Sequence, residues 1–231
     1  MFVRLDGGGG LLSVLLLYVD DMLLACDKRT DLTNICGLLS QRFDVKLLGE
    51  PAKYLGLDIR RDAKGVYVSQ TTYIKKMLEG WGMNHVKARP TPAVDVLGPR
   101  GQEEPIDQQR FRSQIGELLY VARMSRPDIA FAVGQLARHQ TDPGEAHGRA
   151  VKRLYAYLSG TRDFALFYGA QGGDLEDPLV VYTDSDFAGE VVSSRSTDGF
   201  VAFYGGGPIA WRSKLQGSTA QSTTEAELTV F

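Results

Sequence analysis

"LLLYVDDMLLA", residues 15–25, sets two adjacent aspartates, Asp20 and Asp21, inside an otherwise apolar run. A carboxylate taken out of water must be paired, protonated or bound to a metal, because leaving it bare costs several kcal/mol. Upstream, "DGGGG" at 6–10 reads as a turn or loose loop, and "LLSVLLLYV" reads as a buried strand from its length and flanking glycines. "MLLAC" reads as the returning strand of a hairpin whose bend carries the aspartates, with Val19 and Met22 pressing on them. Two carboxylates on such a platform suit a hard divalent ion such as Mg²⁺, which takes oxygen ligands and leaves positions for substrate phosphates. The same dipeptide also fits a plain polar turn between strands.

Outward from this hairpin the periodicity changes twice. Leu32, Ile35, Leu38, Leu39 and Phe43 recur at helical spacing, with Thr30 or Asp31 available as N-cap. Leu55, Leu57 and Ile59 then alternate as one strand face, "DAKG" at 62–65 makes a turn, and "VYVSQ" pairs back. From Thr71 the period is helical. "TYIKKMLEGWGM" forms one helix, a Pro-rich surface connection follows, and Phe111, Ile115, Leu118 and Ala122 mark a second helix that ends before Pro127. "PDIAFAVGQLARHQ" starts a third helix. In the fourth, "GEAHGRAVKRLYAYLSG", Val151, Leu154, Tyr155 and Leu158 form a core stripe opposite Arg149, Lys152 and Arg153. Beyond "GTRDF" the strands return as "LVVYTDSDF", "GFVAFY" and "IAWRS", with "GGG" at 205–207 as a turn. A final helix begins near Ser222, where "STTE" has capping-box spacing.

With 231 residues and 43% hydrophobic content the chain can bury a sizeable core. Its net charge of −2 carries no global nucleic-acid signature, but the distribution is uneven. Lys+Arg against Asp+Glu runs 9 to 9 over residues 1–70, 13 to 9 over 71–160 and 4 to 10 over 161–231, a basic middle before an acidic end. Two cysteines, Cys26 and Cys36, make no disulfide framework and point to a reducing compartment. Residues 11–24 are too short and too charged to span a bilayer, so no membrane partner is expected. His85, His139 and His147 have no ligand spacing and read as surface histidines, and Trp81 and Trp211 read as packing residues.

"YVDD" within "LLLYVDDMLLA" resembles the catalytic hairpin of reverse transcriptases. "LSQRFDVKLLGEPAKYLGLDI", "VYVSQTTYIKKML", "RPDIAFAVGQLARHQTDPGEAHGRAVKRLYAYLSGT" and "YTDSDFAGE…SRSTDGFVAFYGGGPIAWRSKLQGSTAQSTTEAE" follow the order of the copia-type retrotransposon Pol polyprotein over almost the whole chain. The resemblance implies an α+β fold: a partial polymerase palm over 1–70, a helical thumb and connection over 71–160, and the N-terminal part of a ribonuclease H-like α/β domain over 161–231. It assigns Asp20 and Asp21 to the palm metal site, Tyr18 to the neighbourhood of the primer terminus, and "LLGEPAKYLGLDI" to a primer-gripping hairpin. Arg149, Lys152 and Arg153 are the candidates for phosphate contact.

The resemblance implies a second metal site from one strand-end aspartate and one helix glutamate. Asp184 is chosen over Asp186 for its place after "VYT", and Glu227 over Glu225 because Glu225 completes the capping box with Ser222. Implied cofactors are Mg²⁺ or Mn²⁺, and implied partners are an RNA template, a DNA primer or RNA–DNA hybrid, and dNTP in the full-length enzyme. Family analogy places such proteins in a cytoplasmic particle and later in the nucleus. The family's further palm aspartate and fingers are expected upstream and its remaining ribonuclease H aspartates beyond Phe231. Both sites are therefore expected to be incomplete and inactive in isolation, the last helix to fray, and the last sheet to expose an apolar face. The alternatives are a catalytically dead module that binds nucleic acid or a partner, and a decayed element with no selected role.

Overall fold

The structure, a computed structural model, describes residues 1–5, 10–93, 96–169 and 178–228, so residues 6–9 of the "DGGGG" turn lie outside the described residues. The fold is mixed α/β and divides into two compact units, Met1–Ile59 and Arg60–Phe231.

In the first unit β1 (Phe2–Leu5), β2 (Leu11–Tyr18) and β3 (Asp21–Cys26) form an antiparallel sheet in the order β1-β2-β3. The hairpin is present, but the burial expected of it is not. Leu17, Tyr18, Val19 and Met22 are 48%, 61%, 79% and 38% exposed, and both aspartates are exposed, so nothing presses on the pair. The reason lies in the unit's thin packing: Ser13 is the one buried residue among its described side chains. Helix α1 (Arg29–Arg42) contributes no buried residue, and its stripe leaves Leu38 and Phe43 in solvent. Its N-cap is Lys28, in extended conformation and without a side-chain cap bond, rather than Thr30 or Asp31. Asp31 instead lies in the first turn, where a carboxylate complements the helix dipole.

Strands β4 (Lys53–Tyr54) and β5 (Leu57–Asp62) form a hairpin in register Lys53↔Asp58 and Tyr54↔Leu57. This corrects the expected alternation. Leu55 and Gly56 are the turn, at φ 47° and 78°, so Leu55 does not share a face with Leu57 and Ile59. Gly56 supplies the left-handed conformation cheaply, whereas Leu55 must be held in it.

In the second unit, Asp62 accepts from the amides of Lys64 (2.8 Å) and Gly65 (3.3 Å) and closes the expected "DAKG" turn. Strand β6 (Gly65–Ser69) pairs antiparallel with β7 (Leu166–Gly169), Val68 opposite Leu166. Between them lie α2 (Thr71–Gly80), α3 (Gln108–Met124), α4 (Ala130–Ala137), entered through a 3₁₀ turn at Pro127–Ile129, and α5 (Glu145–Thr161). The apolar stripes meet in one core: Ile74 and Leu78 from α2, Phe111, Ile115, Leu118 and Ala122 from α3, Val133 and Leu136 from α4, and Val151, Leu154, Tyr155 and Leu158 from α5. Trp81 packs on this core, and its indole N–H bonds Glu117.

A buried polar knot joins the helices. Arg126 donates to Asp128 through Nε (2.9 Å) and Nη2 (2.7 Å), and to the carbonyl (2.8 Å) and hydroxyl (2.7 Å) of Thr161. The histidine expectation is corrected for His147, which is 1% exposed. Its Nδ1 accepts from the Gly144 amide and its Nε2 bonds the Gly98 carbonyl, both at 2.9 Å, so the ring caps α5. The His139 ring stacks on it at 4.2 Å between centroids, and burial, then the neighbouring His147, holds His139 below the usual imidazole pKa. His85 is exposed beside Asn84.

Strands β8 (Leu179–Asp186), β9 (Thr197–Tyr204) and β10 (Gly207–Leu215) form an antiparallel sheet in the order β10-β9-β8, turned at Gly205 and Gly206 with φ 56° and 80°. Trp211 of β10 donates to the Ala122 carbonyl at 2.8 Å and fastens the sheet to α3. Edge strand β8 leaves Leu179, Val180, Val181 and Tyr182 exposed, so the apolar exposure expected on one face of this sheet occurs on both faces of its edge strand. The last element, α6 (Thr223–Leu228), packs along β8.

Candidate functional site

The register Tyr18↔Asp21 leaves Val19 and Asp20 as a two-residue turn, with Asp21 opening β3. Val19 occupies φ 50°, a left-handed conformation that disfavours a β-branched residue and that the hairpin must hold. The tight turn thrusts two successive carboxylates and the exposed ring of Tyr18 out of the sheet at one end of the hairpin. Neither aspartate makes a hydrogen bond or ion pair among the described residues. Exposed oxygen donors of this kind fit Mg²⁺ or Mn²⁺ chemically. Among the described residues no group of three or more His, Cys, Asp or Glu side chains gathers to hold a metal.

At the second acidic site Asp184 pairs opposite Gly199 in the β8–β9 ladder and is exposed, and Glu227 is exposed on α6. The companions of each are engaged. Asp186 accepts from the Thr197 amide, and the Glu225 carboxylate accepts from the Gln221 amide at 2.7 Å while its own amide donates to the Ser222 hydroxyl at 3.1 Å. The expected cap is therefore formed, although Glu225 reaches one residue beyond Ser222.

Buried Gln216 ties α6 to the sheet, its Nε2 donating to Asp198 and, at 2.8 Å, to the Ala226 carbonyl. Ser185, opposite Asp198, also donates to it at 3.4 Å. Strand alternation puts Ser185 on the face that α6 covers and Asp184 on the other. Register therefore does not set Asp184 and Glu227 on one face of the sheet. Gln216 and Asp198 were not singled out from the sequence; no motif distinguishes a glutamine that locks a helix from one on the surface.

The three helix cations have different surroundings. Arg149 pairs with Glu103 at 3.0 Å and Glu145 at 3.4 Å. Arg153 donates to the Thr91 hydroxyl at 2.6 Å. Lys152 is exposed and forms no ion pair among the described residues.

Comparison with known proteins gives the family of the chain. Residues 1–95 match the family model described as "Reverse transcriptase (RNA-dependent DNA polymerase)". The chain is 38% identical over 225 residues, 93% of its length, to the Retrovirus-related Pol polyprotein from transposon TNT 1-94 of Nicotiana tabacum, covering 17% of that polyprotein. It is 36% identical over 92% of its length to the corresponding protein from transposon RE1 of Arabidopsis thaliana, covering 14% of it. An uncharacterized mitochondrial protein of Arabidopsis thaliana is 35% identical, with 92% of this chain matching 88% of that protein. The chain belongs to the copia-type Pol polyprotein family and carries a reverse transcriptase-like domain. It spans about a sixth of the length of the curated Pol polyproteins it matches. No solved structure matches the chain.

Proposed function

We propose that these residues serve RNA-directed DNA synthesis, with removal of the RNA strand, within a longer Pol protein. The observation that carries this reading is the pair of adjacent, exposed carboxylates at the two-residue β2–β3 turn. Asp20 and Asp21 would hold the divalent ion, and Tyr18 beside them would bear on the primer terminus. Bound there, the ion supplies Lewis-acid stabilisation of the oxygens in phosphoryl transfer. The palm corresponds to residues 1–70, the thumb and connection to 71–160, and the ribonuclease H-like part to 161–231. For the second site we take Asp184 and Glu227, since Asp186 and Glu225 are engaged in local bonds, although the β8 register does not set the chosen pair on one face of the sheet. The template RNA, DNA primer and their hybrid are the partners, and dNTP is the co-substrate.

Two carboxylates satisfy only part of a hard ion's coordination, so the 231 residues alone bind Mg²⁺ weakly and do not extend a primer. Reverse transcription by a Pol polyprotein carrying this segment tests the reading. Asp20→Asn or Asp21→Asn should reduce DNA synthesis to background while primer–template binding persists. Asp184→Asn or Glu227→Gln should stop RNA-strand removal and spare synthesis. Full synthesis by the Asp20→Asn, Asp21→Asn double variant would overturn the assignment.

A further inference from the structure

The segment after α2 is fastened along α5 at three successive points. The Arg89 amide donates to the Ala156 carbonyl at 3.3 Å, and Arg153 Nη2 donates to the Thr91 hydroxyl at 2.6 Å. At the third point, a β-carbon built on Gly160 would lie 2.7 Å from the β-carbon of Ala88, so the absent side chain is what lets the strap approach. Strap and helix run antiparallel, Ala88 by Gly160, Arg89 by Ala156 and Thr91 by Arg153.

The charges of the two partners are one-sided. No acid occurs between Glu79 and Asp95, where Lys87 and Arg89 lie, nor between Glu145 and Asp163, where Arg149, Lys152, Arg153 and Arg162 lie. Lys87, Arg89 and Lys152 are exposed. Lys152 stands one turn before Ala156, whose carbonyl holds the Arg89 amide, so a cation of the strap and a cation of the helix are carried by backbones joined within one turn of α5. Arg149 is excluded from this set by its bonds to Glu103 and Glu145, and Arg153 acts as the clasp.

We infer that Lys87, Arg89 and Lys152 form a basic ridge that receives the phosphodiester backbone of a nucleic-acid duplex. The inference rests on the nucleic-acid reading above and places the contact on a strap that the sequence presents as a mere connection. Positive side chains without intervening acids contact phosphates irrespective of base sequence, releasing counterions as they do so. The clasp holds the two backbone segments that carry these three cations side by side.

The test compares the 231-residue chain with a Lys87→Gln, Arg89→Gln, Lys152→Gln variant and with a charge-matched control, Lys64→Gln, Lys75→Gln, Lys76→Gln. The probe is a fluorescent RNA–DNA hybrid of mixed sequence, titrated across a series of KCl concentrations. The ridge variant should bind about tenfold more weakly than the control, and its log–log salt slope should be shallower by about 2 to 3. In the unaltered chain, Lys87 and Lys152 should be protected by the hybrid from acetylation, a readout independent of how the variants fold. Equal affinity and slope in ridge and control variants, with Lys87 and Lys152 unprotected, overturns the ridge and leaves hybrid binding standing. Equal affinity for polyglutamate and the hybrid overturns the duplex as the ligand. Absence of hybrid binding by the unaltered chain overturns both the ridge and the nucleic-acid reading for this chain.

Discussion

Asp128→Ala should be among the most damaging single substitutions in the second unit. The side chain of Arg126 is 2% exposed, and Asp128 is its sole anionic partner within ion-pair distance among the described residues. Removing Asp128 takes away the bonds to Nε and Nη2 and one charge of the pair, leaving the guanidinium with only the carbonyl and hydroxyl of Thr161. Breaking a buried ion pair from one side costs about 3–5 kcal/mol, because the remaining charge stays buried without its counter-charge. For a folded unit of this size that lowers Tm by roughly 6–20 °C. Trp81 and Trp211 both lie in the second unit, so tryptophan fluorescence during urea or thermal unfolding reports on it directly.

Tyr157→Phe, which removes only the 2.7 Å phenol bond to Asp128, should cost about 1 kcal/mol. Arg126→Met combined with Asp128→Leu should recover most of the loss, since apolar replacement removes both charges together. A pH arm follows from the same knot. Burial pushes the Asp128 carboxyl up, but the hydrogen bond and charge of Arg126 and the Tyr157 hydroxyl outweigh it, so its pKa lies below the ordinary 3.8. The stabilisation is thus present above that value and is lost as pH falls through the lower folded pKa. A loss below 1 kcal/mol in Asp128→Ala would refute the reasoning.

Two further outcomes are expected. His139, held below the usual imidazole pKa by burial and then by His147, adds stability that is complete above the ordinary value of 6.5 and declines as pH falls toward its folded pKa. The Tm difference between pH 7.5 and 5.5 should therefore shrink in His139→Gln, and an undiminished difference would count against it. Gly65→Ala should lower the stability of the second unit by more than about 2 kcal/mol, because the new β-carbon would lie 2.1 Å from the Tyr168 carbonyl oxygen, a backbone atom that cannot swing aside. Urea midpoints measured by tryptophan fluorescence decide this.

The helices were legible because burial and period coincide: Val151, Leu154, Tyr155 and Leu158 repeat at the helical interval, and each is buried. The strands of the last sheet were legible from length, apolar content and the glycine turn. Leu55 was misread because "YLGL" keeps an apolar alternation across a turn that only register reveals. "LFYG" at 166–169 escaped notice because a four-residue strand is defined by its partner Gly65–Ser69, far away in sequence. His147 was read as exposed because a cap formed through a ring nitrogen leaves no sequence signature beyond Gly144 three residues earlier. At the candidate site the paired carboxylates and their hairpin were plain in "YVDD", whereas their exposure was not, since an apolar run predicts a core without saying which elements pack against it. The ion pairs of Arg149 and the clasp of Arg153 depend on segments brought in by the fold, so no pattern in α5 itself could have separated them from Lys152.

The pairing of Val68 with Leu166 means that the polypeptide departs for the helices and comes back at neighbouring points one strand spacing apart. Everything between behaves as an insertion with closely spaced ends, the arrangement found where whole modules are exchanged without disturbing their hosts. A short glycine-rich bridge should suffice to join the two strands directly, and the excised helices carry their own core. Such a bridged chain should keep β6 and β7 at their spacing while the last sheet loses the bond from Trp211 to Ala122.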